Sequence, residues 1–159
     1  MPTTKPQQYL MYVIEYLFLL ILGGTIYYGI EILFRGYSHV TMFFVGGMCL
    51  ILIGLINEII DWNMLFWKQM IIGDICVLIL EFVFGCIFNL ILGWDVWDYS
   101  NMPFNLLGQI CLPFAILWLP IVALAIVVDD WVKYLLFHGK KPHYRWKNSD
   151  PMDLTPSYS

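Results

Sequence analysis

Four long apolar segments, separated by short polar stretches, dominate the hydrophobic pattern of this chain. A helix crosses the hydrocarbon core of a bilayer in about 20 residues, and each segment reaches that length. The pattern therefore predicts an all-α membrane protein, a bundle of four transmembrane helices. The predicted helices run from Tyr9 to Phe34, from about Val40 to Ile60, from about Phe66 to Leu92 and from near Pro103 to near Val128.

The polar ends of the chain divide it into three parts. Residues 1–8 are predicted to be a disordered N-terminus, residues 9–137 the transmembrane domain, and residues 138–159 a basic and then disordered cytoplasmic tail. Two structures fit the stretch after the fourth apolar segment, where Trp131 and Tyr134 flank Lys133. It forms either a short helix at the membrane interface or a cytoplasmic extension of the fourth helix.

Composition and charge support a membrane protein and predict its orientation. The chain is 60% hydrophobic and only 13% charged, whereas a soluble domain is about a quarter charged. Basic residues concentrate on the side of both termini, and the opposite side has only Arg35. Since cytoplasmic loops carry the excess of basic residues, both termini are predicted to be cytoplasmic. The basic residues on that side are Lys5, Lys68, Lys133, Lys140, Lys141, Arg145 and Lys147.

The sequence offers little support for catalysis, metal binding or nucleic-acid binding. The four cysteines lie inside apolar runs without a C-x-x-C pair, and the three histidines are scattered. No basic groove with interleaved aromatic residues and no pairing of a nucleophile with a base is evident. We therefore expect neither an enzyme nor a cofactor, and no nucleic-acid partner.

Acidic residues inside the predicted third helix are the first candidate for function. Glu81 lies near the middle of that helix, and Asp74 precedes it by seven residues on nearly the same side. Gly85, Asn89 and Gly93 follow at steps of four. Small and amide residues at this spacing favour close helix contact. Glu81 is then either a protonated hydrogen-bond donor at a helix interface or part of a proton- or cation-linked site.

Three further features of the apolar segments have simpler interpretations. Glu31 and Arg35, one helical turn apart, predict an ion pair at the end of the first helix. The glycines of the first two segments are interpreted as positions where helices pack closely. Pro113 and Pro120 predict kinks in the fourth helix.

The stretch "GWDVWDYSNMPFN", between the third and fourth segments, is the second candidate for function. Its aromatic residues Trp94, Trp97 and Tyr99 fit the membrane interface, and Asp98 or Ser100 could cap a turn. Asn105 and Gln109 are predicted at the head of the fourth helix, where they could meet Asn89. The hypothesis is an ordered interfacial cap over a small polar pocket that opens to the outside. Its candidate residues are Asp74, Glu81, Asn89, Asp98, Asn105 and Gln109.

Three motifs resemble a known family. "WDYSNMPFNLLGQICL", from Trp97 to Leu112, resembles the signature of the family called Putative ABC-transporter type IV, the CmpB-like membrane proteins, which are mainly bacterial. "LEFVFG", from Leu80 to Gly85, and "YGIEILFRG", from Tyr28 to Gly36, resemble its preceding helix and its first helix end. The resemblance extends from about Tyr9 to Phe137. It implies a small multi-helix protein of the bacterial plasma (inner) membrane and supplies no catalytic residues.

Two functions are compatible with these features. One is a permease-like transport component for an unknown small solute or ion. The alternative is a membrane scaffold or regulatory subunit without transport activity of its own. Expected partners are membrane lipids, further copies of the chain or other membrane subunits, and a separate ATPase, because "HGKKPHY" lacks the spacing of a phosphate-binding loop. A hydrated cavity at Glu81, Asp74 and Asn105 would favour transport, and dry helix contacts would favour the scaffold.

Overall fold

The computed structural model describes residues 5–60 and 63–152 and is mostly helical. A π-helix, π1, directly continues the third of its four α-helices, and a two-stranded hairpin precedes the fourth. The hairpin is antiparallel, with Asn105 opposite Cys111 and Leu106 opposite Ile110. The elements are α1 (Lys5–Arg35), α2 (Val40–Ile59), α3 (Phe66–Gly85), π1 (Cys86–Ile91), β1 (Asn105–Leu106), β2 (Ile110–Cys111) and α4 (Leu112–Leu136).

Three helical segments are long and apolar enough to cross a membrane. They are Lys5–Arg35, Phe66–Ile91 and Leu112–Leu136. The apolar part of α2 is shorter, Val40–Ile56. Length and composition therefore identify three candidate spans within the described residues, and the crossing predicted for α2 is not established by them.

The predicted start of the fourth helix is wrong. The helix begins at Leu112 rather than near Pro103, because the chain first turns through the hairpin. Phe104, Leu107 and Gly108 all have positive φ angles there, which no α-helix accommodates. Pro113 consequently lies in the first turn of α4, where its missing N–H removes no helical hydrogen bond. Pro120 remains inside the helix.

The fourth helix is also longer than predicted at its far end. It continues without interruption to Leu136, so the residues after Val128 extend α4 instead of forming a separate helix. The N-terminal helix likewise begins at Lys5 and includes the last residues of the segment predicted to be disordered. The structure describes the predicted tail as far as Met152, and the remainder of that prediction lies outside the described residues.

The core lies between α2, α3 and α4, and α1 packs along α2. A Cβ atom on Gly46 would overlap the Tyr27 side chain, and one on Gly47 would overlap the backbone of Leu20. These contacts confirm the predicted close packing at Gly46 and Gly47, whereas Gly29 has open space beside it. The buried apolar residues of the core are Val45, Cys49, Ile53, Phe66, Val77, Leu80, Val122 and Ile126.

Contacts between connecting segments define two ends of the bundle. At one end, Arg35 at the end of α1 donates a hydrogen bond of 3.1 Å to the carbonyl of Val96. At the other end, the Phe66 N–H donates to the carbonyl of Arg145 over 2.7 Å, and Leu65 and Arg145 form a parallel bridge. We call these the cap end and the tail end. The tail end thus joins the connection between α2 and α3 to the C-terminal segment.

Candidate functional site

A buried hydrogen-bond network centred on Asn89 connects π1 to the cap, which we define as residues 94–111. Asn89 Nδ2 donates to the carbonyl of Trp97 (2.9 Å) and to Gln109 Oε1 (2.7 Å). Its Oδ1 accepts from the Val96 N–H over 2.7 Å. Every donor of this amide is used, and its oxygen has a partner. The network fixes the cap to π1 at the end of α3.

Trp97 lies inside the cap. It is only 4% exposed, and its Nε1 donates to the carbonyl of Gln109 over 2.9 Å. A Cβ atom on Gly85 would lie 2.6 Å from Gln109 Oε1, so that glycine provides the space for the amide. Trp97 is therefore a core residue of the cap and not an aromatic anchor at its surface. Trp94 and Tyr99 instead stack on neighbouring rings, Phe88 and Phe114 respectively.

Asp98 and Asn105 close turns on the outside of the cap. Asp98 Oδ1 accepts from the backbone N–H and the hydroxyl of Ser100. These two hydrogen bonds lower the pKa of Asp98. Asn105 donates to the carbonyls of Ser100 and Met102 and accepts from the Gly108 N–H. Both side chains are exposed and are not part of the buried network around Asn89.

Glu81 is enclosed by side chains from two other helices. It is 3% exposed and accepts hydrogen bonds from the Tyr27 hydroxyl (3.2 Å) and from Trp118 Nε1 (3.1 Å). The rings of Tyr27 and Trp118 stack with centroids 5.5 Å apart. Glu81 therefore joins α1, α3 and α4 in a direct side-chain contact. Asp74 is also buried, and its Oδ1 has no hydrogen-bond partner among the described residues.

The six predicted pocket residues therefore do not form one pocket. Asn89 and Gln109 meet, Glu81 has partners of its own, and the side chains of Asp98 and Asn105 are exposed. An apolar groove of about 350 Å³ lies between α3, the hairpin and α4, and its lining contains none of the six. It is lined by Leu78, Phe104, Leu106, Ile110, Cys111, Leu112 and Ala115.

A charged cluster at the tail end was not anticipated from the sequence. Lys133 Nζ lies 2.6 Å from Glu58 Oε1, 3.1 Å from Asp129 Oδ2 and 3.1 Å from the carbonyl of Gly54. The hydroxyl of Tyr16 also donates to Glu58, over 3.3 Å. One ammonium group on α4 thus holds a carboxylate of its own helix and one of α2. We call this set the Lys133 cluster.

Asp129 is the most deeply buried acid of this cluster. It is 0% exposed, its Oδ2 pairs with Lys133 Nζ, and its Oδ1 has no hydrogen-bond partner among the described residues. Gly54 makes this position possible, because any Cβ atom there would overlap the carboxylate. In the sequence, the four-residue spacing of Asp129 and Lys133 is the feature that indicates an ion pair on one helix face. It was missed because the fourth helix was predicted to end at Val128.

The remaining predicted features are local. Glu31 and Arg35 form an ion pair of 2.9 Å, and the Ser38 hydroxyl donates to the same carboxylate. All four cysteines are free thiols. Within residues 5–60 and 63–152, no group of three or more His, Cys, Asp or Glu side chains is placed to hold a metal ion.

Comparison with known proteins identifies one related family. The model of a family described as Putative ABC-transporter type IV matches residues 12–146. The match confirms the resemblance seen in the three sequence motifs and covers all four helices through most of their length. No curated protein and no solved structure matches the chain.

Proposed function

Because the chain belongs to the Putative ABC-transporter type IV family, we propose that it is the membrane-embedded, non-catalytic subunit of a transport assembly. In this proposal α2 crosses the membrane together with the three longer helices. The bundle lies in a bacterial plasma membrane with its tail end in the cytoplasm. A separate ATPase and further membrane subunits, including copies of this chain, complete the assembly. The transported solute is a small molecule or an ion.

The enclosure of Glu81 is the observation that carries this proposal. An acid lining a conduit within one chain would face water, whereas this carboxyl group accepts hydrogen bonds from Tyr27 and Trp118 and is 3% exposed. Its contacts stabilise the packing of three helices. The geometry thus favours a chain that supports or regulates a transport path formed with its partners, over a chain that conducts by itself.

A permease-like protein that conducts through its own bundle is the second candidate. The observation in its favour is that both partners of Glu81 are hydrogen-bond donors. A carboxylate accepts only, so this arrangement can hold the ionised form as well as the protonated one. Acids inside membrane spans often belong to ion or proton pathways. In this candidate, Glu81 exchanges a proton or a cation when the bundle opens.

Substitution of Glu81 separates the two candidates. A glutamine can keep both contacts, since the Tyr27 hydroxyl can accept from the amide N–H while Trp118 still donates to the amide oxygen. We therefore expect Glu81→Gln to fold, whereas Glu81→Lys would not accumulate because it adds an uncompensated charge between helices. In liposomes, the purified chain should give no proton or ion flux above that of protein-free vesicles. Flux that Glu81→Gln abolishes would establish the conducting candidate.

Co-purification tests the assembly directly. Purification in mild detergent followed by mass spectrometry should recover an ATPase subunit with the wild-type chain. A control purification of an unrelated membrane protein from the same cells identifies non-specific partners. Recovery of the chain alone under several mild detergents would contradict the proposed assembly.

Cysteine labelling tests the orientation. In a cysteine-free background, an impermeant maleimide added outside should label Ser100→Cys at the cap end and should not label Ser157→Cys. Opening the membrane should make both positions reactive, which controls for accessibility. The reverse pattern would overturn the proposed topology.

A further inference from the structure

We propose that two Trp–Lys pairs at the tail end together bind the headgroup of an anionic phospholipid. The pairs are Trp67–Lys68 at the start of α3 and Trp146–Lys147 in the C-terminal segment. We call them the Trp–Lys surface. The two pairs are 79 residues apart in the chain, and the fold brings the segments that carry them together.

Backbone pairing places the two segments side by side. The Phe66 N–H donates to the carbonyl of Arg145 over 2.7 Å, and Leu65 and Arg145 form a parallel bridge. Trp146 directly follows the bridged Arg145, and its ring centroid lies 4.9 Å from that of Phe66. Trp67 directly follows Phe66. Each Trp–Lys pair therefore begins next to the point where the segments join.

The Arg145 side chain holds the C-terminal segment in place. Arg145 is 5% exposed and donates to the carbonyls of Asn63 (2.7 Å), Asn148 (3.0 Å) and Asp150 (3.1 Å). Its positive charge is thus directed inward at backbone oxygens. A surface supported by such a buried clamp loses little conformational entropy when it binds a ligand.

Asp150 fixes the second pair from its other side. Its carboxylate accepts from the backbone N–H groups of Trp146 (2.6 Å) and Lys147 (2.8 Å). These hydrogen bonds lower the pKa of Asp150, so the contact persists at neutral pH. The Asp150 oxygen that accepts both bonds is engaged with the backbone. The side chains of Lys68 and Lys147 remain exposed.

The exposed groups match the two parts of a lipid headgroup region. Trp67 and Trp146 are 45% and 58% exposed, and indole rings concentrate at the depth of the headgroups. The Lys68 ammonium lies 5.5 Å from the centroid of the Trp67 ring, which holds it beside the aromatic face. Paired cationic and indole groups complement a phosphate attached to an acyl glycerol. This combination favours an anionic phospholipid over an acidic protein segment, which would have no need for two indoles beside the bilayer.

Lipid titration of the purified full-length chain tests the proposal. Phosphatidylglycerol and phosphatidylcholine are added separately in mild detergent, and native mass spectrometry counts retained lipids. The wild-type chain should retain phosphatidylglycerol preferentially. Because each basic residue near an anionic surface contributes about 1 kcal/mol, the Lys68→Gln/Lys147→Gln variant should lose roughly tenfold or more in apparent affinity.

A matched pair of lysines provides the control. Lys5→Gln/Lys141→Gln removes the same charge from the same end of the bundle but leaves the Trp–Lys surface intact. This control should keep its phosphatidylglycerol preference, and both variants should melt like the wild type in phosphatidylcholine. Equal losses in the two variants would mean non-specific charge attraction and would overturn the proposal. An acidic peptide that displaces phosphatidylglycerol from the wild type at lower concentration would overturn it as well.

Discussion

The two ends of the bundle bury polar groups in different ways. At the cap end, the amide of Asn89 uses both donors and its oxygen on backbone and side-chain partners. At the tail end, Lys133 pairs with Glu58 and Asp129, and Oδ1 of the buried Asp129 has no hydrogen-bond partner among the described residues. The cap-end groups are neutral and matched one by one. The groups of the Lys133 cluster are charged and depend on a single ammonium.

This difference determines what each end tolerates. In the neutral hydrogen-bond network, the loss of one side chain leaves only its few direct partners without a hydrogen bond, so the destabilisation stays local. In the buried ionic cluster, the loss of the one cation leaves its carboxylate partners without a compensating charge, so the whole cluster is destabilised at once. We therefore expect the tail end to be more sensitive to single substitutions, and also easier to rescue by a second one.

Removal of the Lys133 charge should have the largest effect. Lys133→Met keeps the length of the apolar stem, removes the ammonium and leaves Asp129 buried without a cation. We expect the free energy of unfolding to fall by about 3–5 kcal/mol, as measured by denaturant titration in mixed micelles. Lys141→Met, an exposed lysine of the same end, provides the control and should change little. A Lys133→Met protein as stable as this control would show that the cluster contributes no net stability.

A second substitution should sharpen this result. Adding Asp129→Asn to Lys133→Met removes the uncompensated charge with almost no change in volume, and it preserves the close contact with Gly54. The double variant should recover most of the lost stability, which requires a coupling energy of at least about 2 kcal/mol in a double-mutant cycle. Additive losses would mean that packing of the lysine stem, and not charge, explains the first result.

Loss of the Asn89 amide should have a smaller and local effect. Asn89→Leu leaves the Val96 N–H, the Trp97 carbonyl and Gln109 Oε1 without this partner, at a cost of about 1–3 kcal/mol. The amides of residues 96–101 should then exchange faster with solvent, while those of α3 stay protected. Asn101→Ala, an exposed residue of the same segment, should leave exchange unchanged. Unprotected amides at 96–101 in the wild type would mean that the cap is a plain loop.

Protonation of Asp98 should have the smallest effect on stability, and this effect should be visible only at acidic pH. Its folded pKa lies below the usual value because Ser100 donates two hydrogen bonds to the carboxylate. The contribution to stability is therefore fully present above the unfolded pKa near 4 and is lost as pH falls through the lower folded value. Protection of the Ser100 amide should decline over that acidic range. In Asp98→Asn this decline should be absent, and an unchanged decline would assign it to another acid.

The sequence pattern predicted the helical segments well where apolar runs end in clearly polar residues. The third segment, predicted from Phe66 to Leu92, ends one residue beyond π1. The start of α4 could not be predicted in this way, because the hairpin residues Phe104, Leu106 and Leu107 are as apolar as a helix. The hydrophobic pattern does not report their positive or extended backbone angles, which are what prevent a helix there.

The candidate site was only partly predictable for a related reason. Asn89 and Gln109 are rare amides in apolar surroundings, so their meeting could be anticipated from polarity and approximate position. The complete Lys133 cluster could not, because Glu58 and Lys133 are 75 residues apart and their ion pair requires the packing of α2 against α4. Gly54 shows no special feature in the sequence, although its missing side chain is what admits Asp129.

The π-helix has a consequence for how this chain can vary in length. Its wide turns, closed by bonds such as that from the Leu92 N–H to the Ile87 carbonyl, hold one more residue than an α-helix would. Deleting one residue other than Asn89 from 86–91 would convert π1 into ordinary α-helix and leave the direction of the chain beyond it nearly unchanged, because the wide turn already absorbs the extra residue. Deleting one residue from α3 would instead rotate everything beyond it by about 100° about the helix axis, and the cap would then face away from Gly85 and α4. Loss of a single residue should therefore be tolerated in π1 and in the exposed turn at 100–104, but not in α3.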